Sequence, residues 1–145
     1  MLPKYFRFRV LNDTDQTLTY NNGARITVSW IPWKIASGVL SYGSEVSQAA
    51  DFLDSGETLA ADGEAEGAVK DNSSDLYWGL HGTFEVTADA NSTDGTVYLY
   101  LETSTDNTVW PSDQADFEIT DLIMVCALDL STDAEDEDRA KNFSL

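Results

Sequence analysis

Residues 76–105, LYWGLHGTFEVTADANSTDGTVYLYLETST, constrain the fold more than any other stretch of the chain. Phe84, Val86 and Ala88 alternate with Thr83, Glu85 and Thr87. Val97, Leu99 and Leu101 alternate with Tyr98, Tyr100 and Glu102. Strand side chains repeat every two residues, so each run has one aliphatic face and one mostly polar face. Asp89, Asn91, Ser92, Asp94 and Gly95 supply turn chemistry between the runs, and the pattern predicts a β-hairpin.

The same period recurs elsewhere. Phe6, Phe8 and Val10 share one face of a first strand, with Arg7 and Arg9 on the other. Ile26, Val28 and Trp30 alternate with Arg25, Thr27 and Ser29. Asn22-Gly23, the preferred pair for a two-residue turn, predicts a second hairpin over residues 17–30. Pro32 is expected to stop that strand or place it at an edge. Residues 35–42 read as a short strand weakened by Gly38, and residues 44–53 fit a helical stripe capped by Ser44, or else a strand through residues 49–53. Residues 54–75 read as loops around one or two short strands. A further strand is expected to start at residues 116–119. Residues 122–130 are apolar on both faces, as in a strand covered on both sides. Glu135 with Arg139 and Glu137 with Lys141 have helical spacing, so residues 131–145 fit a short helix or an acidic tail. The whole predicts an all-β, two-sheet antiparallel sandwich, jelly-roll or Greek-key like, in one domain spanning 1–145 with at most one or two short helices.

Composition bounds the function. The 145 residues suit one domain with a real core, and no apolar run approaches the ~20 residues of a membrane-spanning helix. The N-terminal residues lack the long apolar segment of a secretory signal. A net charge of −18 argues against nucleic acid as a partner. Residues 1–34 carry +3, from Lys4, Arg7, Arg9, Arg25 and Lys34 against Asp13 and Asp15, leaving −21 for the other 111. Arg7 and Arg9 are therefore either solvated outer-face residues or contacts for an acidic partner, a neighbouring copy included.

No catalytic or cofactor constellation stands out. His81 is the single histidine, and no Gly-x-Ser-x-Gly turn accompanies it. Cys126 lies in an apolar run, where a buried thiol is expected. One Cys and one His do not make a usual zinc site. Residues 89–100 fail the calcium-loop pattern, with Asp94 where glycine belongs and Tyr100 where the bidentate Glu belongs. Asn12, Asn72, Asn91 and Asn142 each begin an Asn-x-Ser/Thr sequon.

The aromatics carry the binding signal. Tyr98 and Tyr100 lie about 6.8 Å apart on the polar face of their strand. With Trp33, Trp78 or Trp110 they would form a platform for another protein or a sugar, or else a layer packed beneath a loop.

Residues 72–78 (NSSDLYW), 82–87 (GTFEVT), 93–102 (TDGTVYLYLE), 104–107 (STDN) and 110–112 (WPS) resemble small β-sandwich virion proteins of tailed bacteriophages. The resemblance covers residues 72–130. It implies a non-enzymatic structural role on the virion: a capsid decoration (cement) protein on the outer shell, or a tail or fibre module for assembly or host-glycan recognition. The implied partners are the major capsid protein and further copies of the chain, with a trimer favoured. No cofactor, nucleic acid or membrane is implied.

Overall fold

β1 (Tyr5–Thr14) shows how alternation becomes a core. Its even-numbered residues Phe6, Phe8 and Val10 are buried, while Tyr5, Arg7, Arg9 and Leu11 are part-exposed. The structure, a computed structural model, describes residues 1–19, 26–48, 52–53, 56–88, 94–131 and 137–145. In those residues β1 is followed by β2 (Leu18–Thr19), β3 (Ile26–Ala36), β4 (Val39–Tyr42), β5 (Val46–Gln48), β6 (Thr58–Leu59), β7 (Gly63–Glu66) and β8 (Lys70–Asp71). Then come β9 (Gly79–Thr87), β10 (Gly95–Ser104), β11 (Ile123–Asp129) and β12 (Asp138–Ser144). Two 3-10 turns, Pro111–Asp113 and Ile119–Asp121, are the helical elements among the described residues.

The strands form an antiparallel sandwich. The first sheet runs β11-β10-β1-β7, with β8 also on β1; the second runs β12-β9-β3-β4, with β5 also on β3. β2 and β6 pair separately. Phe8, on β1, joins the layers. Its ring meets Trp30 of β3 at 5.2 Å, Phe143 of β12 at 5.9 Å and Phe6 at 6.0 Å, two of these across the interior. Edge-to-face geometry of this kind adds to what area burial already contributes.

Several expectations are corrected. β9 and β10 are both strands, but they do not form a hairpin: β9 belongs to the second sheet and β10 to the first. Matching alternation does not fix pairing, and β10 finds its ten-residue partner in β1. β2 likewise pairs with β6 rather than β3, and Asn22-Gly23 lies outside the described residues. Pro32 does not stop β3. It sits between the residues of β3 that pair with β5 and those that pair with β4, where a missing N–H costs no ladder bond. Residues 35–42 are not one strand but a hairpin, with Ser37 (φ 51°) and Gly38 (φ 79°) as its two-residue turn. Within residues 44–53, residues 46–48 are strand and residues 49–51 lie outside the described residues. The described part of residues 54–75 holds three short strands. No strand starts at residues 116–119: residues 116–118 are turn and irregular backbone, and the second 3-10 turn begins at Ile119. β11 is not covered on both sides: Cys126 and Leu128 are buried, whereas Ile123 and Met124 are exposed.

The C-terminal segment is neither a helix nor a tail over residues 138–144. It is β12, paired with β9 along seven residues. Gly82 makes the fit. A Cβ there would come within 2.6 Å of the Phe143 ring and of the Ser29 carbonyl oxygen. The bare backbone lets Phe143 fold over β9 into the core. Phe143→Ala should therefore cost about 3–5 kcal/mol in chemical denaturation. A loss under about 1 kcal/mol would mean that the segment is not seated as described.

Candidate functional site

The outer face of the first sheet gathers five of the seven sequence-predicted residues, Arg7, Arg9, Tyr98, Tyr100 and Trp110. Register places Arg7 opposite Glu102 and Arg9 opposite Tyr100 on β10, with Arg9 also opposite Glu66 on β7. Arg7 donates from Nε to Glu102 at 2.6 Å, and its Nη1 lies 3.1 Å from Glu66. Arg9 donates to Glu66 at 3.0 Å and to Glu64 at 3.1 Å. The N-terminal arginines are thus answered by the chain's own acids.

A loop then closes over them. Asp106 accepts the Thr108 and Val109 backbone N–H groups, which hold its carboxyl at about 2 and turn the chain back. Trp110 lies over the Arg7 guanidinium at 4.5 Å, and Phe117 over that of Arg9 at 5.5 Å. Such stacking suits the weakly hydrated guanidinium. Ser112 donates its N–H to Glu102 at 2.8 Å, and its hydroxyl accepts from Arg7 at 2.9 Å. Glu102 has no exposed surface. Burial pushes its carboxyl up, but the Ser112 hydrogen bonds and Arg7 outweigh that and hold it below its ordinary 4.5.

Tyr100 and Trp110 are each 6% exposed, so this face is a packed layer under a loop. Tyr98 is half-buried, its ring 6.2 Å from that of Tyr100. Trp33 lies elsewhere, on β3 of the second sheet, and Trp78 just before β9. Trp78 donates its backbone N–H to the Trp33 carbonyl at 2.8 Å, and the Trp33 ring stacks on His81 at 6.2 Å. His81 Nδ1 is 2.8 Å from the Ser144 hydroxyl. These two residues line a shallow cleft of about 410 Å³ together with Ser29, Thr83 and Asn142.

The surface that sequence reading missed begins beside Trp33. Register aligns Trp33 with Tyr42 and Ile35 with Leu40, so these four share the outer face. Ile31, Ile35, Leu40 and Tyr42 are exposed, as is Val39 at 65%. β9 pairs with β3 only as far as Trp33, so the hairpin beyond projects as an arm. Lys34 pins its base, donating to the Asp75 carbonyl at 2.6 Å with its ammonium 4.9 Å from the Tyr77 ring. Residues 16–44 contain no Asp or Glu, although the chain has 26. A signal was present in that acid-free run, and in Ser37-Gly38 as a turn rather than a flaw.

The remaining sites are quiet. Cys126 is buried, and burial pushes its thiol up. Among the described residues no cluster of three or more His, Cys, Asp or Glu is placed to hold a metal ion. Residues 89–93, the start of the stretch that fails the calcium-loop pattern, lie outside the described residues. The sequon asparagines Asn12 and Asn72 are buried and donate to backbone carbonyls, which leaves no room for a glycan. Among the described residues, no helix is long and apolar enough to cross a membrane. No protein-family model, curated protein or solved structure matches this chain.

Glu102→Gln keeps the shape of the side chain but removes the charge that answers Arg7. It should cost about 3 kcal/mol at pH 7. The folded carboxyl titrates below its ordinary 4.5, so its contribution is complete above that pH and is lost as pH falls through the folded value. The stability gap between wild type and variant should therefore close in acid. A gap that is absent at pH 7, or unchanged to pH 2, would remove the buried pair as the loop's anchor.

Proposed function

We propose that this chain is a non-enzymatic structural protein of a phage particle, a decoration protein that braces the outer shell by bridging capsid subunits. The observation that carries the reading is the projecting β3–β4 hairpin, whose apolar residues Ile35, Val39, Leu40 and Tyr42 are all exposed. Contiguous exposed apolar surface on an otherwise charged protein marks an interaction site. The resemblance over residues 72–130 supplies the setting, a virion surface. The major capsid protein is the proposed partner, through its own apolar, uncharged surface.

The roles of the residues follow. Ile31, Ile35, Leu40 and Tyr42 supply the buried centre of the contact, with Trp33 and Trp78 at the foot of the arm. Arg7 and Arg9 are not part of it, since both bind Glu66 beneath the loop. The alternative of a glycan-binding tail module relied on an aromatic platform, and two of its rings, Tyr100 and Trp110, are covered.

Particles lacking the protein should lose tolerance to heat and osmotic shock, and adding it back should restore both. Ile35→Glu and Leu40→Glu should fold with an unchanged melting temperature but rebind shells at least about tenfold more weakly, since each removes an apolar anchor. Rebinding at wild-type strength, or bare particles as robust as decorated ones, would defeat the proposal.

A further inference from the structure

The arm has a backbone edge as well as a face. In a hairpin closed by a two-residue turn, the residues flanking the turn form a hydrogen-bonded pair, and the pairs then alternate. Here the flanking pair is Ala36 and Val39. Val39 and Ser41 therefore direct their N–H and C=O groups at β3, while Leu40 and Tyr42 direct theirs away from it. Two bonds fix this parity. Gly43 donates to Pro32 at 2.8 Å, on the β4 side of β3, and Trp78 donates to Trp33 at 2.8 Å, on the opposite side.

The sheet edges are not treated alike. β12 carries Asp138, Arg139 and Lys141, β7 carries Glu64 and Glu66, and β8 consists of Lys70 and Asp71. Charges of this kind keep an edge from pairing with another chain. β11 is uncharged from Ile123 to Leu128, but a bulge breaks its register and Lys141 Nζ lies 3.4 Å from the Ala127 carbonyl oxygen. β4, with the sequence VLSY, has neither charge nor proline and is exposed at all four residues.

We infer that β4 pairs edge to edge with β4 of a second copy, about a two-fold axis through Ser41. This register sets Leu40 opposite Tyr42 of the second copy, and Tyr42 opposite its Leu40. Both outward-facing residues on each strand are then used, giving four backbone hydrogen bonds with none left over. It also places Leu40, Tyr42 and their counterparts on one face, so the apolar outer surface runs unbroken across both copies. Registers centred on Leu40 or Tyr42 leave an outward residue opposite Gly38 or Ser44. Charge argues for a second copy in particular. Two chains of −18 repel wherever their acids meet, and the arm lies inside the acid-free run 16–44. The contact is isologous and closes on itself, unlike the three-fold contact of a trimer. The inference rests on the arm being an attachment surface and adds what occupies its edge.

The test uses the free protein, without shells. Ser41 faces its own counterpart as a non-hydrogen-bonded pair, with Cα atoms about 4.5 Å apart, which is within disulfide range. Ser41→Cys should give a covalent dimer under mild oxidation. Val39→Cys should not, and neither should wild type with its buried Cys126. By sedimentation at physiological salt the wild type should show a dimer at concentrations up to about 1 mM, the range of weak association. Leu40→Pro removes an outward N–H that β3 does not use. It should abolish the dimer with an unchanged melting temperature, whereas Leu40→Ala should retain it in part. A wild type monomeric throughout, with Ser41→Cys uncrosslinked, overturns the inference and leaves shell attachment standing. A trimer that does not crosslink through residue 41 also overturns it. A β4 dimer whose shell binding is indifferent to Leu40→Glu upholds the inference and removes the shell reading instead.

Discussion

A carboxylate with no exposed surface sets most of what the first sheet can do. Ionised groups of this kind are tolerated only where hydrogen bonds and an opposite charge replace the water they lose. Glu102 obtains both, from Arg7 on the neighbouring strand and from the Ser112 backbone N–H in the loop. The first contact holds β1 and β10 in register. The second fixes the loop, which brings Trp110 and Phe117 over the two arginines. A one-residue slip of β10 would turn Glu102 into the apolar interior. Register, loop and buried charge are therefore one arrangement, and it withdraws Tyr100 and Trp110 from any partner.

Much of the sandwich was legible because alternation is local. Phe6, Phe8 and Val10 announce β1, and Val97, Leu99 and Leu101 announce β10 without reference to anything distant. Pairing is not local. β9 and β10 carry the same alternation on either side of a turn-rich segment, and nothing in either run says that they enter different sheets. The deciding contacts are far off in sequence: β10 with β1, and β9 with β12 and β3. The C-terminal strand was hidden for another reason. Its composition is charged, and Phe143 alone carries its core contact. That contact depends on Gly82, about sixty residues earlier, which has no side chain to signal a vacancy.

The candidate site shows the same division. Arg7, Arg9, Tyr98, Tyr100 and Trp110 were singled out as candidates for contact with a partner. The structure brings all five onto one face, but there the arginines bind the chain's own Glu66 and Glu102 and stack against Trp110 and Phe117. An alternating strand shows that Tyr98 and Tyr100 face outward from the core. It cannot show that a loop folds back onto the same face, over Arg7 and Arg9. Conversely, Ile35, Val39 and Leu40 look like ordinary core residues in sequence. They are exposed because β9 stops pairing at Trp33 and no other described strand continues beneath the arm.

The length of the arm matters to a chain this acidic. Three residues of β3, Lys34 to Ala36, extend past the last pair with β9, or about 10 Å of extended backbone. The Debye length at physiological salt is about 8 Å. The tip therefore stands roughly one screening length beyond the last residues of β9, and its own residues add no negative charge. Repulsion between acidic surfaces at that separation is largely screened, whereas apolar contact and backbone pairing act only at the tip. At low ionic strength, near 0.01 M, screening reaches about 30 Å and the acids of the sandwich are felt well past the arm. A short hairpin without acids on a strongly acidic sandwich thus separates repulsion from contact in space. The acids keep the molecules apart in solution, and the arm makes contact where ions have already weakened that repulsion.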